Sequence, residues 1–125
     1  MDEYEGRILY VMTHGVESPE RCATPFYLAA AAAAMDNEVG IYFTMNGPTL
    51  LRNGVADSIG PKGERGAKLR RFIDTALDVG VRLYVCQPSL DLHDLSMGDM
   101  IEGVEMIGGA AFNDMATEAD AVISF

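Results

Sequence analysis

The sequence predicts an α/β fold built on a five-stranded, mostly parallel sheet with helices on both faces. Three observations carry this. Five short apolar runs recur along the chain, at 8–12, 38–44, 81–85, 104–107 and 121–125. Helical or alanine-rich segments separate most of them. The connections are too long for hairpins, so successive strands should run parallel. The 125 residues suffice for one compact domain and not for two ordinary ones, so 1–125 is read as a single domain. An apolar fraction of 49% supplies a core, and 22% charged residues argues against wholesale disorder.

The first run, Ile8-Leu9-Tyr10-Val11-Met12, reads as a buried strand ending at Thr13-His14-Gly15. A helix follows, starting either at Ser18-Pro19 or at Thr24-Pro25, and continues through Ala29 to Ala34. Glu38 to Thr44 is a second strand, broken by Asn46-Gly47-Pro48. Residues 48–63 form the longest loop, with one helical turn at Thr49 to Arg52. A second helix is expected from Arg65 to Val79, with Leu69, Phe72, Ile73 and Ala76 on one face and Gly80 ending it. Val81 to Val85 is the third strand. Ser96 and Asp99 have the spacing of a capping box and predict a helix to Glu102. Val104 to Ile107, a helix over Ala111 to Ala119, and a strand from Ala121 complete the pattern.

A five-stranded sheet of this kind commonly takes the order 2-1-3-4-5, and ligands bind beyond the carboxyl ends of the strands near the point where the order reverses. That rim would gather Thr13-His14-Gly15, Met45-Asn46-Gly47, Cys86-Gln87-Pro88 and Gly108-Gly109. Cys86 ends its strand, where a thiol can face the rim and backbone N–H groups can favour its thiolate. Cys22 follows strand one. With strands one and three adjacent it would lie near Cys86, as a resolving partner or a second sulfur carrier. His14 and His93 fall in rim loops and are candidate supports for a thiolate, as are Asn46 and Gln87.

Other chemistries lack their residues. There is no G-x-x-x-x-G-K-[ST], G-x-G-x-x-G or G-x-S-x-G motif, and the two histidines and two cysteines lack zinc spacing. No metal is therefore expected. Nine basic residues against nineteen acidic ones give a formal charge of −10, which argues against nucleic acid as a direct partner. No export signal is legible and the longest apolar run is half of what a bilayer requires, so a cytoplasmic location with reduced cysteines is expected.

The chain also resembles the DsrE/DsrF/TusD-like sulfur-relay family, and looks most like its broad DsrE-like branch. The resemblance runs through Ser18-Pro19-Glu20-Arg21 before the alanine-rich helix, Val39 to Thr44 with Asn46-Gly47, and Gly80-Val81 leading to Val85-Cys86. It continues through Ile101-Glu102-Gly103-Val104-Glu105 and Ala119-Asp120-Ala121-Val122. It implies a flavodoxin-like three-layer fold, assembly as a homotrimer or homohexamer, and a persulfide carried on Cys86 between a donor and an acceptor protein. No metal or organic cofactor is implied. The segment Gln87-Pro88-Ser89-Leu90 departs from the small-residue helix of the bacterial tRNA-thiolation branch. Two other readings stay open: a non-catalytic subunit binding a small ligand or partner at its rim, and a redox sensor using Cys22 and Cys86.

Overall fold

A computed structural model describes residues 4–125. The five expected strands are present as β1 (Gly6–Met12), β2 (Asn37–Phe43), β3 (Arg82–Cys86), β4 (Val104–Ile107) and β5 (Ala121–Ser124). The helices are α1 (Thr24–Ala34), α2 (Leu69–Asp78), α3 (Gln87–Leu92) and α4 (Gly109–Glu118). Of the two possible starts for the first helix, the chain uses Thr24-Pro25. Pro19–Arg21 forms only a short 3-10 turn. The second helix begins later than expected, because Gly66 sits at φ +84° and Lys68 is extended. The expected helix after Ser96 is a single 3-10 turn, Met97–Asp99. The Asp99 carboxylate does accept from the Ser96 N–H at 2.9 Å.

All strand pairs are parallel, and the order is β4-β3-β2-β1-β5. This corrects the expected 2-1-3-4-5. The chain adds β2, β3 and β4 outward from β1 one after another, as consecutive elements usually do, and then returns so that β5 pairs with the free edge of β1. The connections leaving β3 and β4 diverge, to α3 on one face and to α4 on the other, so the switch point lies between β3 and β4, beside Cys86.

That order decides which face each helix covers. Right-handed crossovers moving outward from β1 to β4 place α1, α2 and α3 on one face, and the reverse step from β4 to β5 places α4 on the other. The first face holds the main core, with Met12, Phe26, Ile41, Phe43, Ile73, Leu83 and Val85 buried. The second is thinner. Leu9, Val11, Tyr42 and Ile107 are buried there, with Tyr84, Cys86, Phe112 and Met115 packed against them. Strand alternation sets this division: Ile41 and Phe43 point to the main core, and Tyr42 between them points to α4.

Candidate functional site

Cys86 is the last residue of β3 and immediately precedes α3. Its side chain packs on the α4 face and is half-buried. Phe43, the end of β2, pairs with Val85, so Thr44, the residue just past β2, lies beside Cys86. Pro88 sits in the first turn of α3, where its missing N–H costs nothing, and Ser89 follows on the same turn. The Ser89 hydroxyl accepts the Met45 N–H at 2.8 Å and lies 3.2 Å from the Thr44 hydroxyl.

Burial pushes the Cys86 thiol up. Hydrogen bonds from Tyr42, from the Ser89 hydroxyl and N–H, and from Thr44 outweigh burial and bring it below its ordinary value. Among the described residues, the groups that lower it are all uncharged.

Met45 holds the rim in shape. It lies in the left-handed region at φ +56°, unusual for a residue with a long side chain. Both of its peptide groups are tied to the α3 region, the N–H by Ser89 in the helix and the carbonyl by His93 Nε2, just past it, at 2.9 Å. A carbonyl only accepts, so His93 Nε2 carries the proton and donates it there. In the neutral imidazole Nδ1 is then the bare nitrogen. Replacing Ser89 with alanine should deprive the partly exposed Met45 N–H of its acceptor, at a cost of about 0.5–1.5 kcal/mol. The expected result in urea unfolding is a lower midpoint with an unchanged slope.

The other expected site residues are not brought to Cys86. Cys22 is fully buried among the main core on the opposite face, and β2 lies between β1 and β3. Burial holds its thiol above the ordinary value. The expected approach of Cys22 to Cys86 is corrected accordingly, and with it the two-cysteine redox reading. It depended on strands one and three being neighbours. His14 stands just past β1, beside the end of β5. The Thr13 hydroxyl donates to the Phe125 carbonyl at 2.6 Å, so it accepts from His14 Nδ1 at 3.3 Å, and His14 Nε2 faces Arg21 Nη1 at 3.5 Å. Asn46 acts through its backbone, giving its N–H to the Thr13 carbonyl at 3.2 Å and accepting the Thr49 hydroxyl at 2.7 Å. Gln87 is exposed as the first residue of α3.

Sequence reasoning missed Tyr42, Thr44 and Ser89. Two signals pointed to them. Tyr42 and Thr44 are two apart on a strand and so share a face, and Pro88 just after Cys86 is a helix start that puts Ser89 one turn from the thiol. A separate cavity of about 430 Å³ opens at the other end of the strands, lined by Arg7, Glu38, Arg82, Tyr84 and Glu118 among others. Its Arg7 is engaged by Glu118 at 3.0 Å and Glu38 at 3.6 Å. Among the described residues no group of three or more His, Cys, Asp or Glu gathers to hold a metal ion, and no helix is long and apolar enough to cross a membrane.

A model of the DsrE/DsrF-like family matches residues 6–125. The chain belongs to this family. A relative named sulfur carrier protein DsrE2, from Allochromatium vinosum, is 26% identical, and the match covers 77% of this chain and 84% of that protein. The uncharacterized protein MJ0760 of Methanocaldococcus jannaschii is 27% identical over 84% of this chain, which spans only 38% of that longer protein. Among solved structures, the YchN protein of E. coli superposes with a TM-score of 0.79 at 18% identity, covering 96% of this chain and 99% of that one. MTH1491 of Methanobacterium thermoautotrophicum, a protein of unknown function, gives 0.66 at 17% identity, covering 97% and 100%. Both likenesses concern the fold.

Proposed function

We propose that this DsrE/DsrF-like protein carries sulfur as a persulfide on Cys86 and passes it between partner proteins. The observation that carries the reading is the environment of Cys86: a half-buried free thiol at a strand end, with its thiolate favoured by Tyr42, Ser89 and Thr44. The relative named as a sulfur carrier supports the same chemistry. In loading, the Cys86 thiolate attacks the outer sulfur of a donor persulfide. The new S–S bond forms as the donor's S–S bond breaks, and the donor leaves as a thiolate with the bonding pair. The exchange needs no external oxidant or reductant.

The surroundings suit a protein partner. Met45 and Leu92 expose 57% and 63% of their surface on the two segments joined by the His93–Met45 hydrogen bond. With a formal charge of −10 the protein favours donors and acceptors with basic docking surfaces. Self-association as a trimer or hexamer belongs to the same reading. None of the residues of α4 is buried, and Val122, on the β5 edge of that face, is 46% exposed. We place the protein in the cytoplasm, where a free thiol stays reduced.

The test is intact-mass measurement after incubation with a small-molecule persulfide. The native protein and Cys22→Ala should each gain about one sulfur, removed by reductant, and Cys86→Ala should gain none. Uptake that survives in Cys86→Ala, or absent uptake on the native protein, rejects the carrier reading.

A further inference from the structure

A buried tyrosine stands on the strand beside Cys86, on the same face of the sheet. Tyr42 is only 7% exposed, and its ring packs on Phe112 of α4 with centroids 4.3 Å apart. The β2–β3 register sets Tyr42 opposite Tyr84, so Cys86 lies two residues along the neighbouring strand on the same face, within diagonal reach of a tyrosine. Burial and the neighbouring Cys86 thiol push the Tyr42 hydroxyl up, and that hydroxyl in turn lowers the thiol. Among the described residues, no buried side-chain nitrogen or oxygen lacks a hydrogen-bond partner.

Ser89 and Thr44 also lower the Cys86 thiol, but they differ from Tyr42 in what else they hold. Ser89 anchors Met45, and Thr44 is bonded to Ser89. Tyr42 stands on the neighbouring strand of the same face and is locked by ring packing. Titratable side chains on the surrounding elements include Tyr84 of β3, Glu105 of β4, Asp91 of α3 and His93 just past it, and Asp114 and Glu118 of α4. Of these and Tyr42, only Tyr42 acts on the sulfur.

We propose that Tyr42 is a catalytic hydrogen-bond donor whose hydroxyl stabilises the Cys86 thiolate as it departs from the transferred sulfur. This rests on the carrier reading and concerns its second half. In discharge, an acceptor thiolate attacks the outer sulfur of the Cys86 persulfide. The acceptor–sulfur bond forms, the bond to Sγ breaks, and Sγ leaves with the electron pair. In the persulfide the negative charge sits on the outer sulfur, about 2 Å beyond Sγ. It returns to Sγ only as that bond breaks. A donor to Sγ therefore stabilises the discharged thiolate more than the loaded persulfide, and so favours release. A better-stabilised leaving thiolate also departs faster.

The test compares the native protein with Tyr42→Phe, which keeps the ring against Phe112. Two measurements are made: the pH profile of Cys86 alkylation by intact mass, and the rate at which preloaded sulfur passes to a small thiol. A hydrogen bond to a charged group is worth about one pH unit or more of thiol acidity, so the Tyr42→Phe midpoint should rise by about one unit. Discharge should slow roughly threefold to tenfold. Should Tyr42→Phe not fold, 3-fluorotyrosine at position 42, a stronger donor of nearly the same size, should move the midpoint down instead. An unchanged midpoint in the folded variant overturns the proposal. So does a raised midpoint with unchanged discharge. If the midpoint shifts but the native protein takes up no sulfur, the Tyr42–Cys86 coupling stands and the carrier reading fails.

Discussion

Phe43→Ala is expected to cost about 3–5 kcal/mol, a large part of the roughly 5–15 kcal/mol that holds a domain together. Phe43 ends β2, the middle strand of the sheet, and is fully buried. Its ring meets that of Phe26 from α1 at 5.6 Å between centroids. Alanine would remove most of the ring's contacts on both sides, and the two elements around it cannot close the gap without shifting α1 against the sheet. The paired strands β1 and β3 also fix the backbone of Phe43 through Met12 and Val85. Urea unfolding followed by circular dichroism should show the loss as a lower midpoint. Met35→Ala, at a position 69% exposed, should stay within about 0.5 kcal/mol of the native protein.

Gly15→Ala should be nearly as damaging, for the opposite reason. A Cβ there would stand 2.0 Å from the Asn46 carbonyl oxygen and 2.1 Å from Thr49 Oγ1. One of these atoms is backbone, so no rotamer change relieves the clash, and the loops after β1 and β2 must separate. Overpacking in ordinary cores costs about 1–3 kcal/mol, and a clash with rigid backbone belongs at the upper end. The same seam is tight at Gly47, where a Cβ would meet the Met12 carbonyl oxygen at 2.4 Å. Amide exchange should report the separation directly. The Val16 N–H, held by Thr49 Oγ1 at 3.0 Å, and the Asn46 N–H should lose protection. Gly108→Ala is the matched control, because nothing lies within 4 Å of its Cβ position and its φ is −87°.

Local pattern in the sequence reached the strands and stopped short of their arrangement. Ile8 to Met12 and Val81 to Val85 announce buried strands by composition, and both are strands to within about two residues. The order of the sheet depends on which strand edge β5 finds after a return from β4, and no local pattern encodes that choice. The error passed to the site. Cys22 looked like a neighbour of Cys86 only while β1 and β3 were adjacent, and the placement of Tyr42 and Thr44 beside Cys86 follows from β2 being there instead. Pro88 was read as part of a loop after the strand, yet it opens α3. A proline in that position reads equally as a breaker and as a start until the residues after it are weighed as helix.

The return of β5 to β1 has a consequence for how the chain folds. Arg7 donates its N–H to Asp120 at 2.8 Å across 113 residues of sequence, and Thr13 closes the same seam onto Phe125. Contacts of such separation carry a large loop-closure cost and slow folding. Until β5 arrives, β1 presents a bare strand edge, with Leu9 and Val11 lacking the cover that β5 and α4 provide. A newly made chain is therefore most prone to sticking to its neighbours along β1, before its last strand has docked.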